Sequence, residues 1–317
     1  PATSKEEGNL VAFSGPDFKA TFDKQSGLLT SYLYKKHEYI LNGQGPRPFF
    51  WRAPTDNDYG ANLPVRLKAW KEASYQEPKA ESFQVTPGSN ATTIKVTYRF
   101  PQTDARWDIT YKIYASGVIK VDNRFVAEGD QAPMIPRVGL RMQLPESFTD
   151  LTYYGRGPKE NYRDRRTSQF IGEYAIPVKD MYEPYVRPQE NNHRTDIYWC
   201  ALTDKTQRGL LLIADRTFEL NTSNYPLESM DSGDTIDNSA PRTEKTHHRH
   251  LTDPLPEKMV DLFIDYRMMG VGGDDSWGAT AHEPYLIRPG KENAIEYGFS
   301  LVPFDKKEDY KYLIRQY

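Results

Sequence analysis

The chain has little of what marks several common classes of protein. Among its 317 residues there is one cysteine, Cys200, which excludes an internal disulfide framework and a cysteine-based zinc site. Its 44 acidic and 41 basic side chains give a net charge of −3, so no basic excess is available for nucleic-acid phosphates. No apolar run approaches the ~20 residues that a transmembrane helix needs. We therefore expect neither a nucleic-acid nor a membrane partner.

The start of the sequence also lacks a familiar feature. It begins at Pro1, and no charged stretch followed by an apolar stretch comes after it, so no secretion signal is recognised. We expect a soluble piece of a longer protein, whose compartment the sequence leaves unknown. What the chain does have is 22 tyrosines, 21 glycines and 23 prolines. Tyrosine suits both strands and sugar-stacking surfaces, and the spread glycines and prolines indicate many turns.

Runs that alternate apolar and polar residues between turn signals predict an all-β fold. Such runs are found at residues 10–13, 18–22, 28–34, 92–100, 105–115, 118–127, 138–144, 149–154, 195–203, 209–215, 219–223, 260–269 and 293–303. Two broad stacked sheets and two successive smaller sandwiches both fit this count. A short helix is expected after Asn62, with Leu63, Leu67 and Trp70 on one stripe, and residues 306–317 could pack as a tail.

Two polar segments are candidates for binding. Residues 51–60 carry Asp56, Asn57 and Asp58, whose oxygens suit a hard cation, but a turn in which Asp56 or Asn57 bonds its own backbone is the favoured interpretation. Residues 153–166 carry four arginines and two carboxylates, of which Arg156, Glu160, Asp164 and Arg165 are the candidates. They predict either an ion-pair network that fixes a loop, which is favoured, or contacts to a ligand.

Two further segments carry possible ligand-binding side chains. His248 and His250 lie two apart on an expected strand and would share a face, but no third metal ligand stands at a suitable spacing, so the metal remains unknown. Residues 269–278 are predicted to form a glycine-rich loop that carries Trp277 near its end. The indole is predicted either to stack on a sugar or to fold back as a lid over its own core.

The residues offer no convincing catalytic machinery. Glycoside hydrolysis needs two carboxyl groups roughly 5–10 Å apart across a cleft. The pairs Asp56 and Asp58, or Asp274 and Asp275, are close neighbours in sequence, and nothing in the sequence separates their pKa values. No serine or cysteine nucleophile motif with a partner histidine is recognised. No catalytic residue is therefore assigned to this chain.

The order of several strings resembles the C-terminal, small-chain domain of β-galactosidases of glycoside hydrolase family 2. The strings are RAPTDND at 52–58, YGRGP at 154–158, MYEPYV at 181–186, PQEN at 188–191, HRHL at 248–251 and GVGGDDSW at 270–277. The resemblance spans essentially the whole chain. It implies an all-β, galactose-mutarotase-like supersandwich with a few short helices, forming one domain over residues 1–317.

The resemblance also implies a function for the parent enzyme. That enzyme would hydrolyse terminal β-D-galactosides with retention, using two glutamates on a preceding (β/α)₈ barrel. This domain would contribute part of the wall of the active site through Trp277, and alone it is expected to be inactive. Its partners would be the galactoside, the barrel and the other domains of a homo-oligomeric parent. No cofactor is identifiable on this chain, and the resemblance leaves room for a divalent or sodium ion in the parent.

Two other functional classes stay open at this point. One is a stand-alone carbohydrate-binding module, which would bind a monosaccharide without the rest of the enzyme. The other is an aldose mutarotase or epimerase, which would require a histidine and a carboxylate in one cleft.

Overall fold

The computed structural model describes residues 1–129, 133–233, 250, 252–275, 278–305 and 310–317. In this part of the chain, strands form two antiparallel sheets, and the all-β prediction is confirmed. The smaller sheet runs in chain order through β1 (Thr3–Glu7), β2 (Leu10–Ser14), β3 (Phe18–Asp23), β4 (Leu29–Tyr34) and β5 (His37–Glu38). Consecutive strands pair through tight turns, as the glycines and aspartates between them predict.

The larger sheet contains twelve strands. They are β6 (Arg47–Phe49), β7 (Ser82–Thr86), β8 (Ala91–Phe100), β9 (Ala105–Tyr114), β10 (Ile119–Ala127), β11 (Arg137–Leu144), β12 (Asp150–Gly157), β13 (Phe170–Pro177), β14 (Arg194–Thr203), β15 (Gly209–Ser223), β16 (Val260–Met268) and β17 (Ile295–Phe304). Their main order is β13-β12-β14-β15-β17-β10-β9-β8-β7, and β16, β11 and β6 branch from β15. Of the two architectures left open, the broad sheet is the one observed.

The fifteen-residue strand β15 is where the large sheet divides. Its first half pairs with β17 and its second half with β16. We predicted two strands here, at 209–215 and 219–223, and this was wrong because the chain continues as one strand. The exposed polar residues 215–217 interrupt the apolar pattern at a bulge, so the sequence resembles a turn.

Four short helices accompany the sheets among the described residues: α1 (Asp56–Gly60), α2 (Leu63–Arg66), α3 (Lys68–Tyr75) and α4 (Tyr310–Ile314). The helix expected after Asn62 is divided into α2 and α3, and Asn62 makes no side-chain cap. Trp70 of α3 is buried against Phe50, with ring centroids 5.1 Å apart. Tyr310 of α4 packs on Trp199, which confirms the packing predicted for the tail.

The core lies on the inner face of the large sheet. Four residues of β9 share one face, because side chains alternate along a strand, and all are fully buried: Trp107, Ile109, Tyr111 and Ile113. Their rings and branched chains join one continuous hydrophobic cluster with residues from both sheets. The glycine-rich loop that follows β16 leaves this frame at Met269, where the candidate site lies.

Candidate functional site

A buried ion pair holds the start of α1. Arg52 is 2% exposed, and its guanidinium donates to both carboxylate oxygens of Asp58 at 3.0 and 2.8 Å. Asp58 also accepts the backbone N–H of Thr55, and the Thr55 hydroxyl accepts the N–H of Asp58. These reciprocal bonds form a capping box that begins the helix. Arg52 and Asp58 therefore have a structural role in residues 51–60.

The predicted turn itself was wrong, because a short helix stands in its place. Asp56 bonds the side chains of Arg187 and Gln189 instead of its own backbone. Asn57 donates to a distant carbonyl, that of Val271, at 3.1 Å. The sequence pattern missed the helix because α1 is a single turn fixed by Thr55 and by contacts far along the chain. Across the described residues, no group of three or more His, Cys, Asp or Glu side chains is placed to hold a metal ion.

Arg52 also holds the beginning of the glycine-rich loop. Its guanidinium donates to the carbonyl of Met269, and to that of Gly270 at 3.1 Å. Asn57 bonds the next carbonyl, that of Val271, so side chains from residues 52–57 fix three consecutive loop carbonyls. The arginine that pairs with α1 is therefore also the residue that sets where the loop leaves β16.

Asp164 holds the same loop from its opposite side. Its carboxylate accepts the backbone N–H groups of Val271 at 3.0 Å and Gly272 at 2.8 Å. A Cβ at Gly270 would lie 2.7 Å from the Asp164 carboxyl carbon, so only glycine allows this approach. The role of Asp164 is thus to cap loop backbone, a task for which its sequence neighbourhood gave no signal.

The loop returns to the fold against the end of α1. Gly278 has a φ of +90°, and a Cβ there would lie 2.1 Å from the carbonyl carbon of Gly60. Residues 276 and 277 lie outside the described residues, so the role expected for Trp277 stays a prediction. Both places where the loop meets the body of the fold are nevertheless built by close polar and backbone contacts.

The four arginines of residues 153–166 form ion pairs within the fold, as the favoured interpretation predicted, but Asp164 accepts loop backbone N–H groups instead. Arg156 and Arg166 both donate to Asp196, at 2.8 and 3.0 Å, and Arg165 donates to Glu160 at 3.0 Å. Sequence reasoning placed Arg156 in a network with its neighbours and missed Asp196. That residue lies on β14, and only the pairing of β12 with β14 brings it close.

A second polar cluster lies inside the large sheet. The fully buried Arg137 donates to Asp265 at 3.1 Å and to Asn221 at 2.7 Å. The buried imidazole of His193 lies 2.7 Å from the Asn221 amide oxygen and 3.0 Å from a Glu219 oxygen. No local sequence pattern predicts this cluster, because its members come from β11, β15, β16 and the residue before β14.

Burial and neighbouring charge set the titration of this cluster. Burial raises the pKa of Asp265 to about 7, although Arg137 and His193 act to lower it. Burial alone would lower the pKa of His193, but its hydrogen bond to Glu219 raises the pKa overall. Burial likewise raises the pKa of the Asp261 carboxyl. Asp261 and Asp265 are at most 1% exposed, so neither reaches a glycosidic oxygen in this fold.

The predicted histidine site falls mainly on residues that the structure does not describe. Residues 247–249 lie outside the described ranges, and the His250 backbone N–H donates to Asp253. Another histidine, His282, contacts Asp274 on the glycine-rich loop, and both side chains are exposed. The metal interpretation of His248 and His250 therefore stays untested.

The architecture matches that of galactose mutarotase-like proteins. Galactose 1-epimerase from Lactobacillus acidophilus NCFM aligns over 96% of this chain and 98% of its own, with a TM-score of 0.54 and 7% identity. At that identity the likeness concerns the fold alone. It confirms the supersandwich class expected from the resemblance.

Sequence similarity assigns the chain to a family. The family model for the β-galactosidase small chain matches residues 14–301, and the chain belongs to that family. A β-galactosidase from Priestia megaterium is 33% identical over 285 residues, which are 90% of this chain and 26% of that protein. One from Lactobacillus delbrueckii subsp. bulgaricus is 32% identical over 279 residues, covering 87% and 26%. The chain thus spans about a quarter of the length of these relatives.

None of the helices in the described part is both long and apolar enough to cross a membrane.

Proposed function

We propose that this chain is the small-chain domain of a retaining β-galactosidase of glycoside hydrolase family 2. The observation that carries the proposal is the family match over residues 14–301 in a chain one quarter as long as its β-galactosidase relatives. The catalytic glutamates would then lie on a barrel in another part of a homo-oligomeric parent. A divalent or sodium ion in the parent belongs to the same proposal, with no ligand assigned on this chain.

The domain would contribute a wall of the galactoside pocket through Trp277. Supporting this role, side chains of Arg52, Asn57 and Asp164 fix the backbone at residues 269–272. Fixing residues 269–272 in advance lowers the entropy lost if the loop contacts a ligand. An indole at that tip would stack on the apolar face of a sugar.

The decisive variant is Trp277→Ala in the full-length parent enzyme. Loss of the ring is expected to raise KM by about tenfold, because an aromatic contact and its buried area are removed from ground-state binding. Values of kcat should fall less than KM rises, since the glutamates are untouched. Tyr312→Ala is the control, because Tyr312 is 61% exposed on α4. An unchanged KM for Trp277→Ala would show that the indole does not contact the substrate.

The isolated chain is expected to hydrolyse no β-galactoside. Its carboxyl groups with raised pKa values, Asp261 and Asp265, are buried and cannot serve as general acid. A chromogenic galactoside assay on chain free of host enzyme tests this point. Sustained turnover would contradict the proposal.

The epimerase alternative receives less support. Its chemistry needs a histidine and a carboxylate that reach one sugar. His193 meets Glu219 but is fully buried and stacks beneath Tyr162, with ring centroids 5.3 Å apart. Accelerated exchange of galactose anomers by the isolated chain would nevertheless favour this alternative over the proposed role.

A further inference from the structure

A polar cleft of about 1040 Å³ lies beside β15, between the part of the strand that pairs with β17 and the part that pairs with β16. β15 pairs with β17 over residues 209–214 and with β16 over residues 219–223. Between the two ladders, Asp215, Arg216 and Thr217 are exposed and have no strand partner among the described residues. Small-molecule sites typically enclose ~300–1,000 Å³, so the cleft has room for a saccharide.

Six carboxylates line the cleft, and each one is already paired with a cation of the fold. The pairs are Asp108 with Arg106, Asp122 and Asp215 with Lys120, Asp196 with Arg156 and Arg166, Glu219 with Arg163, and Glu296 with Arg124. Gly298 makes part of this pairing possible. A Cβ there would lie 2.5–2.6 Å from the polar atoms of Asp215, Asp122 and Lys120.

The same cleft is lined by cations that no carboxylate neutralises. Lys95, Arg216 and Arg267 have no ion-pair partner within the described part of the chain. Arg267 lies over the ring of Tyr266, 5.1 Å from its centroid. The buried Nε of Arg163 also has no hydrogen-bond partner among the described residues. The cleft therefore holds spare positive charge and spare guanidinium donors.

We propose that this cleft binds an anionic saccharide, and that Arg216 and Arg267 contact the carboxylate or sulfate group of the sugar. Guanidinium groups present N–H donors in a planar fork that matches such oxyanions. The hydroxyls of Thr110 and Thr217 line the same cleft and can bond sugar hydroxyls. This binding site is additional to the proposed hydrolytic role, and it does not depend on Trp277.

The test is calorimetric titration of the full chain with four probes: glucuronic acid, galactose 6-sulfate, galactose and sodium sulfate. The two acidic sugars should bind at least tenfold more tightly than galactose or sulfate. Their affinity should fall between about 50 and 500 mM NaCl, because salt screens charges at an open cleft. The double variant Arg216→Gln, Arg267→Gln should weaken binding roughly tenfold or more.

Arg315→Gln is the matched control, since Arg315 is exposed just after α4 and does not line the cleft. It should leave the affinity unchanged. Arg216→Gln alone, at an exposed position, keeps the test valid if the double variant does not fold. The proposal would be overturned if galactose or sulfate bound as tightly as the acidic sugars. It would also be overturned if Arg216→Gln left the affinity unaffected, or if no probe bound at all. These outcomes are independent of β-galactosidase activity.

Discussion

Replacing Arg52 with methionine tests how the glycine-rich loop is joined to the fold. The substitution keeps most of the apolar stem but removes the guanidinium. Asp58 then loses its bidentate partner, and the carbonyls of Met269 and Gly270 lose their donor. All of these groups lie in the interior or at its edge, so water cannot replace the arginine without opening the structure.

The expected cost follows from those contacts. Breaking a buried ion pair by removing one partner costs about 3–5 kcal/mol, because the other charge stays buried. Losing the bonds to the two carbonyls adds about 1 kcal/mol. For 317 residues, an unfolding entropy of about 2.1 cal/mol/K per residue converts each kcal/mol into a Tm change of roughly 1.5 °C. Arg52→Met should therefore lower Tm by about 6–9 °C.

Urea unfolding and thermal melts measure this loss, and two variants locate its cause. Arg99→Met is the control, because the Arg99–Glu81 pair is 53% and 51% exposed and should cost at most about 1 kcal/mol. Adding Asp58→Asn to Arg52→Met should restore about 2 kcal/mol, since the stranded charge disappears. A loss no larger than that of Arg99→Met would refute the assignment of Arg52 as the buried anchor.

Three other variants address the same frame. Asp164→Asn should speed hydrogen exchange at the amides of residues 271 and 272 severalfold, since an amide replaces one of the two acceptor oxygens; unchanged exchange would contradict the capping role. Arg156→Ala should cost only about 1 kcal/mol by urea unfolding, because its pair with Asp196 is 23% and 24% exposed and Arg166 remains. The folded-state pKa of Asp265, about 7 against 3.8 for an ordinary aspartate, means that its contribution to stability is lost as pH rises from about 4 through 7. Between pH 4 and 8.5, Asp265→Asn should remove on the order of 2–4 kcal/mol of this pH-dependent loss of unfolding free energy. If urea unfolding of the variant shows the same pH slope as the original protein, Asp265 is not the group responsible.

The strands of this protein were largely predictable, because each one carries its own alternating pattern. Residues 105–115 and 118–127 are examples, since one face of each is apolar apart from Asn123, and Ser116-Gly117 marks the turn between them. The edge strand β13 was missed because its residues are exposed or half-buried and give no such alternation. The two-residue strand β5 is likewise too short to produce a pattern.

The candidate site was predictable only in part. The resemblance pointed to the loop at 269–278, and composition pointed to paired charges in residues 153–166. The particular partners were not predictable, since Arg52 reaches Gly270 across 218 positions and Asp164 reaches Gly272 across 108. Contacts at such separations are set by the order of strands in the large sheet, which no local pattern encodes.

Two polar regions of the large sheet, the buried Arg137 cluster and the cleft at the fork of β15, differ in how their charges are paired. Inside the sheet, Arg137 and His193 are joined through Asn221, and His193 also meets Glu219, so most polar groups of this buried region bond to one another. At the fork of β15, the carboxylates are paired, and Arg216 and Arg267 have no ion-pair partner among the described residues. The difference arises because β15 changes partners there and turns its side chains outward. A fold shared with galactose 1-epimerase can therefore carry a different chemistry, since the sheet fixes where side chains stand and the sequence decides which of them remain available.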